Sequence, residues 1–158
     1  MEHSSGTSRP RLLLALPPFV FCILAYGFAL NGPLFFDDLP NVTENPYLKF
    51  DGATFDQWRE AALSSNAGLF KRPLAMLTFA ANSVITGELT AFSLKGTNLA
   101  IHLILAGLIY FFTSGVMRSP PVTAAGFSAR QAQWIAMTAT VLWLLHPIHV
   151  STVLYAVQ

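Results

Sequence analysis

The chain has 158 residues, of which 53% are hydrophobic and only 11% are charged, and its mean hydropathy is +0.50. A soluble domain carries about 25% charged residues, so this composition excludes a surface that faces water throughout and favours lipid as the solvent. The formal net charge of +1 gives no support for binding to nucleic acid.

The first apolar run predicts a transmembrane helix at residues 12–30, after a polar amino terminus at residues 1–11. About 20 apolar helical residues cross a hydrocarbon core of about 30 Å, and this run contains no charge. Pro17 and Pro18 should kink this helix or delay its start. A cleaved signal peptide is the alternative, since small residues occur near residues 25–27.

Three more apolar segments follow. Two are charge-free and long enough to span the bilayer, at residues 96–114 and residues 132–152. The third, residues 73–87, would rise only about 22 Å as a helix, which is too short to span. Thr78, Asn82 and Thr86 recur there every four residues and share one face, which predicts an amphipathic helix at the membrane interface. A fourth span at this segment is the alternative.

The basic residues predict the orientation of these helices. The amino terminus and the loop at residues 115–131 hold four arginines: Arg9, Arg11, Arg118 and Arg130. The loop at residues 31–72 has six acids and four bases, a net charge of −2. The positive-inside rule then places residues 1–11 and 115–131 in the cytoplasm and residues 31–72 outside. We therefore predict an all-α integral membrane fold with three transmembrane helices plus one interfacial amphipathic helix.

This topology places the candidate chemical groups at the outer face: Asp37, Asp38, Arg72, Asn98, His102, His146 and His149. The aromatic-flanked pair Asp37-Asp38 could act as a general base, as metal ligands or as both, with solvated loop residues as the alternative. The guanidinium of Arg72 could hold a phosphate through paired hydrogen bonds, or it could snorkel toward lipid headgroups.

The polar residues of the second and third predicted spans also allow two interpretations. Asn98 and His102 lie one helical turn apart and could face a cavity, or they could join helices by hydrogen bonds. His146 and His149 lie beside Pro147, and no cysteine or acidic triplet occurs at the spacing of zinc ligands. We therefore predict no metal site at these histidines.

The order of these motifs resembles the amino-terminal region of GT-C membrane glycosyltransferases. The resemblance is to the TMTC-type O-mannosyltransferases in particular, and to their bacterial relatives that carry tetratricopeptide (TPR) repeats. It runs from about residue 35 to residue 158 and rests on a series of short motifs. These are Asp37-Asp38, Asn45-Pro46, Trp58, Arg72-Pro73-Leu74, Asn98 with His102, and His146-Pro147-Ile148-His149-Val150. Two positions depart from the pattern, because Lys95 stands where a histidine is frequent and Ser151 where an acid is frequent.

The resemblance implies a transferase that moves a sugar from a polyprenyl- or dolichyl-phosphate donor to a hydroxyl acceptor, such as a protein Ser or Thr. Asp37 or Asp38 would be the catalytic base. Arg72, with His102 or His146, would bind the donor phosphate. Four further residues would support the site: Asn45, Trp58, Asn98 and His149. No cofactor is predicted, and a divalent metal ion at Asp37/Asp38 is the alternative.

The resemblance also implies partners and a location. The partners would be the lipid bilayer, a polyprenyl-phosphate sugar and a protein acceptor, with no nucleic acid. The protein would be a multi-pass integral protein of the bacterial plasma (inner) membrane or the endoplasmic reticulum, with its site facing the periplasm or lumen. Since such proteins have more spans and repeats, we expect the chain to be truncated after residue 158 and inactive alone. The alternative is a non-catalytic membrane module or a transporter fragment, although a transporter would place its polar groups near the bilayer midplane.

Overall fold

The computed structural model describes residues 16–36, 38–52, 54–66 and 69–156. Within these ranges every regular element is helical and no strand occurs, which confirms the predicted all-α class. The described chain divides into two compact units. The first unit comprises residues 16–27 and 101–149, and the second unit comprises residues 28–100 and 150–156.

Seven α-helices occur in the described residues. They are α1 (Leu16–Gly27), α2 (Phe55–Leu63), α3 (Pro73–Thr86), α4 (Ala91–Met117), α5 (Pro120–Ala124), α6 (Ala129–Leu144) and α7 (His149–Leu154). A π-helical turn at Leu39–Thr43 and a 3-10 turn at Pro46–Leu48 lie between α1 and α2.

Helix α4 has the length and composition needed to cross a membrane. Its 27 residues would rise about 40 Å, against a hydrocarbon core of about 30 Å, and most of its apolar side chains are exposed. Exposure of large side chains such as Ile104, Phe111 and Phe112 is unusual for the core helix of a soluble protein. Among the described helices only α4 meets this criterion, so the three predicted spans are not confirmed.

The predicted third span at residues 132–152 is not one continuous helix. Helix α6 ends at Leu144, and α7 begins only at His149. Pro147 lacks a backbone N–H and disfavours helical geometry at the preceding residue, which accounts for the interruption. His146 therefore lies in a short non-helical link between the two helices.

Local sequence signals account for several helix ends. Thr54 with Gln57 and Ser128 with Gln131 form reciprocal capping boxes at the starts of α2 and α6. Gly87 ends α3 at a φ of 76°, a left-handed conformation that favours glycine.

The core of the second unit lies where α2 packs against α3. Its buried members are Val42, Leu48, Ala61, Met76, Phe79, Ala80 and Leu94. This core supports both the loop that follows α1 and the first turns of α4, which are the segments that carry candidate site residues.

The polar face predicted for the helix at residues 73–87 is directed partly into the second unit. Asn82 is 8% exposed, and its amide donates a hydrogen bond of 2.9 Å to the hydroxyl of Thr97 on α4. That hydroxyl donates to the Asn82 carbonyl oxygen at 3.0 Å. Asn82 thus contacts protein, and the position of this helix at a membrane interface stays a prediction.

In the first unit α1 packs against α6, and α6 buries a row of small side chains. Ala132, Ala136 and Thr140 recur every four residues on α6, and all three are buried. Small residues on one face let helix backbones approach closely. The Thr140 hydroxyl donates a hydrogen bond to the Ala136 carbonyl, so this buried polar group has its partner within the same helix.

Candidate functional site

The predicted site residues fall in both units. Asp38, Asn45, Trp58, Arg72 and Asn98 belong to the second unit, and His102, His146 and His149 belong to the first. Asp37 lies outside the described residues.

Asp38, the described residue of the acidic pair, faces inward and closes a turn with Phe35. Asp38 is 1% exposed, and its carboxylate accepts a hydrogen bond of 3.3 Å from the backbone N–H of Phe35. The Asp38 N–H in turn donates to the Phe35 carbonyl at 3.0 Å. Phe36, within the turn, has a φ of 50°, which is rare for a bulky residue and costs energy. Such strain persists only where the surroundings determine the conformation.

Two residues at the start of α4 contact neighbours of this turn. The buried Lys95 ammonium donates to the Gly32 carbonyl at 2.8 Å and to the Pro33 carbonyl at 3.0 Å. The Asn98 amide donates to the Tyr155 carbonyl at 3.0 Å. The ring of Tyr155 lies 6.4 Å from that of Phe35, measured between centroids. Asn98 therefore acts as a structural contact next to the acidic motif.

Arg72 precedes α3 and is exposed, as is Lys71. Both have positive φ angles, 52° at Lys71 and 41° at Arg72, so the backbone is strained immediately before Pro73. The Arg72 side chain does not cap the helix. Its exposed guanidinium is sterically accessible to an anion.

Asn45 organises the loop between the acidic motif and α2. It is buried, and its amide donates to the Asn41 carbonyl at 3.1 Å and the Ser64 hydroxyl at 2.9 Å. Its side-chain oxygen accepts from the Tyr47 N–H at 3.0 Å. All these contacts lie within the protein, so Asn45 has a supporting role.

Trp58 also supports the second unit from within. Its indole N–H donates to the Gly52 carbonyl at 3.0 Å. Its ring meets Phe50 edge-on, with 5.3 Å between centroids, beside the core cluster.

His102 is buried among aromatic rings of the first unit. Its Nε2 lies 3.0 Å from the Leu144 carbonyl oxygen, which can only accept, so Nε2 carries the proton. Leu144 is the last residue of α6, so its carbonyl oxygen receives no hydrogen bond from an N–H of the same helix. The N–H of His102 supplies that hydrogen bond. The imidazole also stacks on Trp143 at 4.6 Å between centroids. His102 is thus a helix-joining contact in the described conformation.

His146 and His149 lie near the same ring cluster. The centroid of His149 lies 5.0 Å from that of His102 and 4.5 Å from that of Trp143. His146 is exposed, and its Nδ1 accepts a hydrogen bond of 3.2 Å from the Ile148 N–H. Because Nδ1 is an acceptor here, the neutral imidazole carries its proton on Nε2, which is left to act as a donor.

No group of three or more His, Cys, Asp or Glu side chains in the described parts of the chain has an arrangement that could hold a metal ion. The carboxylate of Asp38 is directed to the Phe35 N–H.

Three contributors were not predicted as site residues from the sequence. They are Lys95, Tyr155 and Trp143. The sequence does carry a signal for Lys95, which is a charged residue at the start of a long apolar helix. A cation in such a position requires specific partners. The other two make their contacts through a backbone carbonyl or a ring face, for which the sequence carries no distinctive signal.

The chain is similar to several named O-mannosyl-transferases. It is 27% identical over 150 residues to Protein O-mannosyl-transferase TMTC4 of Mus musculus and 25% identical over 150 residues to the Homo sapiens protein of that name. It is 26% identical over 137 residues to Protein O-mannosyl-transferase TMTC1 of Homo sapiens. These matches cover 87%, 87% and 82% of the chain, respectively. This agrees at the family level with the resemblance drawn from the motifs.

The chain spans about a fifth of the length of the TMTC4 relatives, and 14% of that of TMTC1. No family model matches the chain. No solved structure matches it significantly.

Proposed function

We propose that this chain forms part of a membrane glycosyltransferase that transfers a sugar from a polyprenyl- or dolichyl-phosphate donor to a hydroxyl of a protein. The observation that carries the proposal is the similarity to O-mannosyl-transferases over more than four fifths of the chain. The long apolar helix α4 supports a location in a membrane. The reaction would occur at the periplasmic or lumenal face of a multi-pass protein.

Asp37 is the proposed base. A general base must reach the hydroxyl from which it takes a proton, and the burial of Asp38 favours its neighbour for that role. Asp37 would accept the hydroxyl proton while the acceptor oxygen attacks the anomeric carbon. The bond between that carbon and the phosphate oxygen would break, and the lipid phosphate would leave with the electron pair. Asp38 would hold the turn through the Phe35 N–H.

The donor phosphate requires positive charge or hydrogen-bond donors. Arg72 fits this role because its guanidinium is exposed and can present two parallel N–H groups to phosphate oxygens. His146 fits as a second donor, since its Nδ1 is bonded to the Ile148 N–H and its Nε2 carries the proton. Either group, if it binds the phosphate, would stabilise the charge that develops on it as it leaves. The burial of His102 and its bond to Leu144 favour a supporting role instead.

A non-catalytic membrane module is the second candidate. The contacts of His102 with the Leu144 carbonyl and of Asn98 with the Tyr155 carbonyl are those that such a module would use to join its helices. Those contacts are equally compatible with an enzyme whose helices support a site elsewhere. A transfer assay distinguishes the two candidates.

The test is transfer of radiolabelled sugar from its polyprenyl phosphate by the purified full-length protein. We expect Asp37→Asn to lower turnover about 10²–10⁴-fold, the usual contribution of general base catalysis, and to leave donor binding intact. Asp56→Asn is the matched control, because Asp56 is exposed in the first turn of α2. Wild-type turnover in Asp37→Asn would refute the assignment of the base, and absence of transfer by the wild-type protein would favour the non-catalytic module.

A further inference from the structure

Lys95 carries a charge into the interior of the second unit. It is 3% exposed, and no ion pair with it occurs among the described residues. Removing an ammonium from water is costly, and an apolar side chain would fill the space without that cost. A lysine provides what an apolar residue cannot, namely N–H groups for the carbonyls of Gly32 and Pro33.

The Lys95 ammonium lies close to the backbone at position 32. A Cβ atom on Gly32 would lie 3.4 Å from the Lys95 Nζ, which is an ordinary contact, and 3.1 Å from the Ala29 carbonyl oxygen, which is tighter. The absence of a side chain at Gly32 is therefore explained by Ala29, and Lys95 is joined to this segment through the two backbone carbonyls.

The segment held by Lys95 leads directly into the acidic motif. Leu34 packs against the core cluster, and Phe35 then enters the turn that bonds to Asp38. Phe36 has its strained φ of 50° in that turn. With the preceding carbonyls bonded to Lys95 and Leu34 packed on the core, the chain has little freedom to relax this strain.

Asn98 provides a second restraint near Asp38. Residues three apart on a helix share a face, so Lys95 and Asn98 project from the same side of α4. Lys95 holds the chain before the turn, and Asn98 holds Tyr155, whose ring packs against Phe35. The first turns of α4 thus restrain the segment that precedes Asp38 at two points.

We propose that Lys95 is a positioning residue, which holds Gly32 and Pro33 so that the acidic motif keeps the geometry required for proton transfer. The effect on proton transfer rests on the proposed function. The restraint of Gly32 and Pro33 by Lys95 rests on the hydrogen bonds alone. Displacement of a reacting group by about 1 Å can cost about 10²-fold in rate. Loss of the Lys95 contacts should therefore lower turnover substantially without removing any donor contact.

The experiment compares Lys95→Met, Lys95→Arg and the control Lys49→Met in the full-length protein. Methionine keeps the apolar stem and lacks the donors, arginine restores N–H groups, and Lys49 is exposed. Hydrogen exchange by mass spectrometry reports on residues 28–38, with α2 as the internal reference. Donor-dependent transfer gives kcat and KM separately.

For Lys95→Met we expect at least tenfold faster exchange in residues 28–38 and a kcat lower by about 10–100-fold, with donor KM within twofold of wild type. Lys95→Arg should restore most of the slow exchange and most of kcat. Lys49→Met should change neither the exchange in residues 28–38 nor kcat. Unchanged exchange in Lys95→Met would refute the structural contact. Faster exchange with unchanged kcat would refute the positioning role.

Two further measurements keep the test decisive. If Lys95→Met does not fold, Lys95→Gln shortens the side chain at the same position and keeps a polar end, and unchanged exchange in that variant would also refute the proposal. If the wild-type protein shows no transfer, the proposed function fails, while the exchange measurement still decides whether Lys95 holds this segment.

Discussion

The paired hydrogen bonds between Asn82 and Thr97 allow a direct test of how α3 packs. Asn82→Leu and Thr97→Val each remove both bonds and leave the partner's polar group without them. A hydrogen bond contributes about 0.5–1.5 kcal/mol net, and a buried orphaned group costs about 1–3 kcal/mol, so each single variant should lose about 2–3 kcal/mol. The double variant places two apolar groups together and should cost less than either single variant. The coupling free energy is therefore expected to be at least about 2–3 kcal/mol.

The measurement is native-state hydrogen exchange of the purified protein in detergent micelles. Peptides from residues 73–100 report the local free energy of opening. The control cycle pairs Thr78→Val with Thr97→Val, because the Thr78 hydroxyl donates to the Ala75 carbonyl in its own helix. Its coupling should lie within about 0.5 kcal/mol of zero.

A helix whose polar face met headgroup water would behave differently. Asn82 and Thr97 would then be solvated, and their substitution would change stability by less than about 0.5 kcal/mol. A coupling of that size or smaller would refute the hydrogen-bonded contact between Asn82 and Thr97.

Three further predictions concern the site and the topology. Arg72→Lys should raise the donor KM or lower kcat in the full-length protein, because a point charge does not reproduce two parallel N–H groups; wild-type kinetics would show that Arg72 has no phosphate contact. His102→Phe keeps an aromatic ring for stacking but loses the hydrogen bond to the α6 carbonyl. Hydrogen exchange at residues 140–149 should therefore report a local free energy of opening that is lower by about 1–3 kcal/mol. Unchanged exchange together with a raised donor KM would instead indicate that His102 binds the phosphate. Cysteines at Phe55 and Ala125, in a Cys22→Ala background, should react with a membrane-impermeant thiol reagent from opposite sides, and labelling of both from one side would refute the proposed topology.

The sequence predicted the local features of the fold well. The helix at Pro73–Thr86 begins at a proline and is followed by Gly87. Proline is favourable in the first turn of a helix, and glycine readily adopts the left-handed conformation that ends one. The predicted apolar segment at residues 96–114 lies within α4, which extends to Ala91 and Met117. These successes follow from propensities and periodicities that act over a few residues.

The predicted third span shows where such patterns were insufficient. Its apolar composition is continuous, yet Pro147 interrupts the helix and places His146 in a link. The buried position of Asp38 likewise does not follow from its sequence context, since acids beside a helix end are commonly solvated. Only the packing of the surrounding loop directs this carboxylate inward.

The sequence by itself determined the all-helical class, the apolar length of α4 and the presence of polar residues on particular helix faces. The tertiary structure alone decided what those residues contact. Asn98 and His102 lie four residues apart, but they bond to carbonyls 57 and 42 residues away, and Lys95 bonds to a carbonyl 63 residues away. Helical periodicity is a property of one segment, so it shows which side chains share a face. A hydrogen-bond partner is chosen by the packing of distant segments, on which that periodicity carries no information.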